Sequence, residues 1–387
     1  MSENPELPVS PSSAGLIVDL DYLDLVTAEL SKLGVGAQQQ DTDDRLGLTL
    51  LKDLQDAGSR PLTDLDGLLC ELRRRFSAKY SGWLPAIGKN RDVDVIVLEG
   101  TSRSMASADP MATDPGPTRL IPAHDAGSGV RVGVVDTPLS MHPSFDPQLV
   151  HGNPLFEPAA EPVSRHAGHG TFVASLILAQ APAAKLDVGG VLDPTTGRGG
   201  IWETAKKMML LNEFDILNLS FGSYTADGEP PLVIRRAIER LSPDVVVVAA
   251  AGNHGDTTTG WKNGRTHSSP TYPAALSPVV AVGATDESGQ LAPFSAKLPW
   301  VTCTALGVNV EGAYLHATVQ VHDVSGALVD KQFRGHATWS GTSLAAATVS
   351  GRIAAMTVPG KVTARQALDE LLAGDPEGVV KKYIHAS

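Results

Sequence analysis

The chain has 387 residues, 42% of them hydrophobic and 19% charged, and carries a formal net charge of -12. That balance is enough for a sizeable core, excludes wholesale disorder, and suggests about two domains. The acidity excludes a basic footprint for nucleic acid or anionic lipid, so the expected partners include neither nucleic acid nor a membrane. Two cysteines, Cys70 and Cys303, make no disulfide framework. No apolar run reaches the ~18 residues of a membrane helix. The start, Met1 to Glu6, is acidic and polar and lacks the basic and apolar stretches of a secretory signal, so the expectation is a cytoplasmic protein.

In chain order, Leu16 to Leu20 reads as a strand and Leu23 to Leu33 as a helix that Gly34 can stop. Leu46 to Leu51 reads as a second strand. Asp64 to Tyr80 reads as an amphipathic helix whose Arg73, Arg74 and Arg75 form a solvated face, and Val93 to Leu98 as a short strand. Residues 1–104 therefore read as a small α+β domain. Residues 105–129, rich in Ala, Pro, Gly, Asp and Ser, read as a linker. In residues 130–387 short apolar strands alternate with helices. The strands are Val130 to Asp136, Leu186 to Leu192, Asp215 to Ser220, Val245 to Ala250, Val279 to Ala284 and Trp300 to Thr304. The helices are Thr171 to Ala181, Trp202 to Leu211, Leu232 to Leu241 and Ser343 to Met356. Such alternation predicts an α/β fold, a mostly parallel sheet covered by helices on both faces. Ala313 to Phe333 alternates with period two around Asp323 to Gly326 and reads as an inserted antiparallel hairpin.

Four short segments carry candidate chemistry. Asp136 ends an apolar strand, where parallel α/β sheets place their ligand sites. His169 lies between Gly168 and Gly170 at a helix start, and imidazole is the usual general base near neutrality. Ser343 opens an Ala-rich helix whose free N–H groups and partial positive charge suit a developing oxyanion. Asn253 follows Ala250, Ala251 and Gly252 at another strand end, where a carboxamide can complete an oxyanion hole. Each alone has an ordinary reading: a turn Asp, a surface His, a Ser N-cap, a turn Asn. The scattered His151, His166, His254 and His267 show no metal-ligand spacing and read as solvated loop residues.

Taken together and in order, Val135-Asp136-Thr137, His169-Gly170-Thr171, Ala250-Ala251-Gly252-Asn253 and Gly341-Thr342-Ser343-Leu344-Ala345 resemble the signature segments of the subtilisin-like serine peptidases. The chain order Asp, His, Ser is that of subtilisin. Ile216 to Gly222, Tyr272 to Ala275, Val280 to Ala284 and His142-Pro143 also resemble family segments, so the likeness spans about residues 125–360. The resemblance implies a subtilisin-like fold and a serine endopeptidase acting on a protein or peptide. In it Ser343 attacks the carbonyl, His169 moves the proton, Asp136 orients the imidazole and Asn253 with the Ser343 N–H binds the oxyanion. It further implies that substrate lies along Ser220, Phe221 and Gly222 as an added strand. Ala250, Ala251 and Gly252 would then line a roomy, mostly apolar primary pocket.

The alternative is a catalytically silent or zymogen-locked peptide-binding module. No cofactor and no metal are expected. Ser144 stands where the family often has a calcium-binding Asp, and the helix after His169 runs into Ala181-Pro182-Ala183-Ala184 without the inserted loop of calcium-binding members. Pro138 replaces a usual Gly, and Ala347-Thr348 replaces a usual Pro-His. The N-terminal domain reads as either a propeptide or a permanent regulatory domain, with an intramolecular contact to the peptidase domain as a further expectation. A propeptide would be cut between Gly100 and Gly129.

Overall fold

The computed structural model describes residues 15–95, 109–114, 124–225, 228–255, 266–323 and 325–384. At the N-terminus, β1 (Gly15–Asp19), α1 (Leu23–Lys32), β2 (Gly36–Asp43), β3 (Leu48–Gln55), α2 (Leu65–Lys79) and β4 (Ile87–Lys89) build an antiparallel sheet in the order β2-β3-β1-β4. The central strand β1 is buried on both faces. Leu16 and Val18 pack with α1 and α2 residues such as Leu30, Leu72 and Phe76. Ile17 points the other way, as strand alternation requires. Asp64 caps α2 by accepting from the Gly67 N–H. The strand β5 (Asp92–Val95) follows but pairs elsewhere; the remainder of the strand expected over 93–98 lies outside the described residues.

Within the expected linker, β6 (Met111–Ala112) pairs antiparallel with a strand just ahead of Ser343, β20 (His336–Trp339). The intervening strands are β7 (Arg131–Asp136), β8 (Val150–Asn153), β9 (Val163–Ser164), β10 (Lys185–Gly190), β11 (Arg198–Gly200), β12 (Ile216–Leu219), β13 (Phe221–Gly222), β14 (Val246–Ala250), β15 (Val280–Thr285), β16 (Val301–Leu306), β17 (Val310–Ala313), β18 (Thr318–His322) and β19 (Leu328–Gln332). Last comes β21 (Val380–Lys382). The helices are α3 (His169–Gln180), α4 (Ile201–Leu210), α5 (Leu232–Arg240), α6 (Thr342–Met356) and α7 (Ala364–Ala373).

Eight strands form one sheet in the order β21-β16-β15-β14-β12-β7-β10-β8, parallel except for β21. Its inner strands β12, β14 and β15 are buried along their whole length and mostly apolar because both faces are covered. Val132, Val134 and Val248 turn toward the core of α3 and α6, whereas Val135, Leu217, Leu219 and Val247 turn toward α4 and α5. Gly133 leaves room for Leu211, whose Cδ1 would sit 3.1 Å from an added Cβ. The Ala-rich α6 is buried from Thr342 to Ala354 and runs against α3. Gly351 permits that approach, since a Cβ there would meet the Ile177 carbonyl oxygen at 2.6 Å.

The N-terminal sheet lies on α4 and α5. Ile17, Leu46, Leu48 and Leu50 share one apolar cluster with Trp202, Leu232, Val233 and Ala237. At its rim the Trp202 Nε1–H donates to Asp41 at 2.8 Å, Lys206 Nζ donates to the same carboxylate at 3.2 Å, and Arg236 donates to Asp19 at 2.6 Å.

Candidate active site

The loop ends of the parallel strands converge where α3 and α6 begin. Asp136, the last residue of β7, is fully buried. Its Oδ1 accepts from the Thr137 N–H at 2.7 Å and from His169 Nδ1 at 2.7 Å, with Oδ2 3.0 Å from the same nitrogen. A carboxylate only accepts, so Nδ1 carries the proton and Nε2 is the unprotonated nitrogen of the neutral ring. Nε2 is buried without a hydrogen-bond partner among the described residues. The glycines flanking His169 answer two separate demands. A Cβ on Gly170 would lie 2.2 Å from the Thr137 carbonyl oxygen, and one on Gly168 would strike the Tyr314 ring at 2.2 Å. The Thr137 hydroxyl accepts from the Gly170 N–H at 3.0 Å, which ties the start of α3 to the end of β7. Trp339 meets the imidazole edge-on, with ring centroids 5.4 Å apart.

Ser343 is the second residue of α6, and its hydroxyl donates to the Ser220 carbonyl at 3.2 Å. In return the Ser220 hydroxyl donates to the Ser343 carbonyl at 3.1 Å while accepting from Asn218 Nδ2 at 2.9 Å. Ser350 closes the network on Asn218 Oδ1 at 3.0 Å. These bonds hold the first turn of α6 against the end of β12. The Asn253 Oδ1 accepts from the Thr342 N–H and the Thr342 hydroxyl, each at 2.9 Å. A backbone N–H can only donate, so the amide orientation is determined, with Oδ1 toward Thr342.

Phe221 and Gly222 form β13, which pairs antiparallel with β5: Phe221 faces Val95 and Gly222 faces Asp94. The opposite edge of β5 pairs with β11, and the Val95 N–H donates to the Gly197 carbonyl at 2.9 Å. A segment of the chain's own N-terminal region thus lies as the middle strand of a three-stranded ladder whose β13 follows directly on Ser220, the partner of Ser343.

The methyl group of Ala250 is buried in the main core, and that of Ala251 packs on Ala296, Leu298 and Val301. On the side of Gly252 the neighbours are polar. Its φ is +107°, and a Cβ there would meet His254 Nδ1 and Thr271 Oγ1 at 2.7 Å each. His254 is fully buried, not a solvated loop residue. Its Nε2 donates to the Ser269 carbonyl at 2.8 Å, so its Nδ1 accepts from the Tyr224 hydroxyl at 3.1 Å. His166 also departs from the solvated reading: burial foremost, then Arg165 and His169 nearby, push its pKa down to about 3. Neither burial is signalled by local sequence, since both come from segments distant along the chain. Among the described residues no three His, Cys, Asp or Glu side chains converge as metal ligands, and no helix is long and apolar enough to cross a membrane.

Comparison with known proteins adds the following. Residues 127–367 match the subtilase family. Subtilisin BL of Lederbergia lenta is 33% identical over 240 residues, which are 59% of this chain and 76% of that protein. Subtilisin E of Bacillus subtilis (strain 168) is 31% identical over 237 residues, 55% of this chain and 58% of that protein. Among solved structures, a cold adapted subtilisin-like serine proteinase aligns over 67% of this chain and 89% of its own, with 22% identity and a TM-score of 0.48.

Proposed function

The chain belongs to the subtilase family and is a subtilisin-like serine endopeptidase, a hydrolase, and we propose that Asp136, His169 and Ser343 are its catalytic triad, with Asn253 in the oxyanion hole. The Ser343 oxygen attacks the scissile carbonyl carbon while His169 Nε2 takes the hydroxyl proton. The C–N bond then breaks as the imidazolium returns that proton to the leaving amine. Water repeats the sequence to release the acyl group. Asp136 orients the ring and stabilises the imidazolium. The Asn253 Nδ2–H and the Ser343 N–H, at the positive end of α6, stabilise the oxyanion. The observation that carries this reading is the buried pair of Asp136 with His169 Nδ1, which leaves Nε2 as the base. The Ser343 hydroxyl now donates to Ser220 and turns to Nε2 on catalysis; such bonds commonly tighten only in the substrate complex. A fluorophosphonate probe tests the reading. It should label Ser343 in the intact protein and leave Ser343→Ala unlabelled; no labelling of a folded, processed protein overturns it.

Substrate is a protein or peptide in extended form. It takes the place of β5 between β11 and β13, where backbone groups supply most of the affinity. The N-terminal unit, residues 1–104, then acts as a propeptide-like inhibitor that keeps β5 in the cleft until the chain between β5 and β7 is cut. The window of Gly100 to Gly129 expected for that cut falls largely outside the described residues. N-terminal sequencing of incubated protein should find one new terminus between Val95 and Arg131, absent in Ser343→Ala. A fully active, uncut chain would overturn the propeptide role.

A further inference from the structure

His166 is a half-buried ionisable group near the site that the chemistry above does not use. Its Nδ1 is shut off from solvent and has no hydrogen-bond partner among the described residues. A buried polar atom left unpaired is costly, and such atoms in native proteins call for an explanation. Gly197 supplies the location. Its φ is +72°, and a Cβ there would lie 2.7 Å from Val95 Cγ2 and 2.8 Å from His166 Nδ1. The imidazole nitrogen and the side chain of Val95 therefore face one small space.

The ladder gives that space its meaning. Val95 faces Phe221, one step from Ser220, whose carbonyl oxygen is 3.2 Å from Ser343 Oγ. The residue opposite Ser220 in any peptide bound this way presents its carbonyl to the nucleophile. The residue at the place of Val95 is thus the second on the amino side of the scissile bond.

We propose that His166 is a specificity-determining residue for this second position and favours substrates with a β-hydroxyl there, threonine above valine. Threonine has the shape of Val95 with one methyl replaced by a hydroxyl. A hydroxyl donates and accepts, so it satisfies Nδ1 in either neutral tautomer. The depressed pKa keeps the ring neutral at working pH, so the site does not specially draw a carboxylate. Valine leaves the nitrogen unpaired.

The inference rests on the peptidase reading, and two measurements keep the two apart. The first gives the full-length protein two fluorogenic peptides that differ only by Thr or Val at this position. The kcat/KM ratio should favour Thr by about 3- to 10-fold, the worth of one neutral hydrogen bond, and fall to about one in His166→Phe. The ratio is unaffected by any uniform loss of activity in the variant. The second needs no catalysis. In a Ser343→Ala background, Val95→Thr should leave Tm nearly unchanged, whereas the same change with His166→Phe should lower it by about 2 °C or more. Equal cleavage of both peptides, or an equal fall in Tm in both backgrounds, overturns the inference. Failure of protein already cut between β5 and β7 to cleave either peptide overturns the proposed triad, and the thermal cycle still decides on His166.

Discussion

The Asn253 side chain is held by its oxygen, not by its nitrogen, and the distinction decides what the residue offers. Two donors of Thr342 occupy Oδ1, so the amide cannot flip without breaking both bonds, and in the proposed mechanism its Nδ2–H is the oxyanion donor. Asn253→Ala removes that donor and leaves the Thr342 N–H unpaired. In subtilisin, loss of one such donor costs about 10²–10³ in turnover, and a fall of that order in kcat with KM nearly unchanged is expected here. Steady-state kinetics checks it; a change confined to KM would mean that Asn253 binds ground state and transition state alike. Ser220 offers a contrasting case. Its hydroxyl bridges Asn218 and the Ser343 carbonyl inside the protein. Ser220→Ala should therefore act on stability, by about 1–3 kcal/mol for two groups left unpaired, measured by denaturant unfolding.

Among the elements, α6 carries more than Ser343. Arg352, on its buried face, donates to Asp375 at 2.7 Å, and Asp375 in turn accepts from the Val379 and Val380 N–H groups at 2.8 and 2.9 Å. That carboxylate fastens β21 to the edge of the large sheet. Asp375→Ala leaves the buried Arg352 guanidinium with Glu377 alone, 2.9 Å from Nη1, and a loss of about 1.5–3 kcal/mol is expected, read by thermal or denaturant unfolding; a loss under ~1 kcal/mol would show that the edge strand is held by packing alone. Neither β21 nor its latch was legible in the sequence, because three polar-rich residues at a sheet edge have no pattern of their own. The same holds for β2, whose Gln38-Gln39-Gln40 run lacks the alternation of a half-buried strand and is defined by its partner β3. By contrast β7, β12 and β14 were legible as continuous apolar runs, since a strand covered on both faces cannot read otherwise. Asp136, His169, Asn253 and Ser343 were legible for a related reason. Asp136 ends β7 and Ser343 lies in the first turn of α6, while His169 and Asn253 follow glycines whose Cβ would clash, so local sequence carries their placement. His166, His254 and Thr271 were not, because their burial is set by distant segments.

For the whole molecule, the short connection from α3 to β10 through residues 181–184 leaves no loop to wrap a calcium ion, which needs about six to eight oxygens. Addition of EDTA should therefore move Tm by no more than about a degree, and a fall of many degrees would reveal a tight site. The attachment of the N-terminal unit is a separate question, and acid answers it. Asp41 reaches across from β2 to α4. Burial would raise its pKa, but the hydrogen bonds from Trp202 and Lys206 outweigh that and hold it below the usual carboxylate range. A carboxyl depressed in the joined state contributes its stabilisation fully above its free value of about 3.9 and loses it as pH falls through the lower, bound value. The attachment should thus be constant from neutrality down to about pH 4 and loosen below it. The pair is partly exposed, so its worth is about 1 kcal/mol, roughly five-fold in the docking equilibrium. In Ser343→Ala protein, which cannot cut itself, hydrogen exchange at β5 should rise by about that factor in Asp41→Asn at neutral pH. The acid-induced rise of the parent should shrink in the variant. If parent and variant loosen alike below pH 4, the acid response belongs to other groups, and the contact between β2 and α4 is an incidental one at the rim of an interface held by Ile17, Leu48 and Leu50.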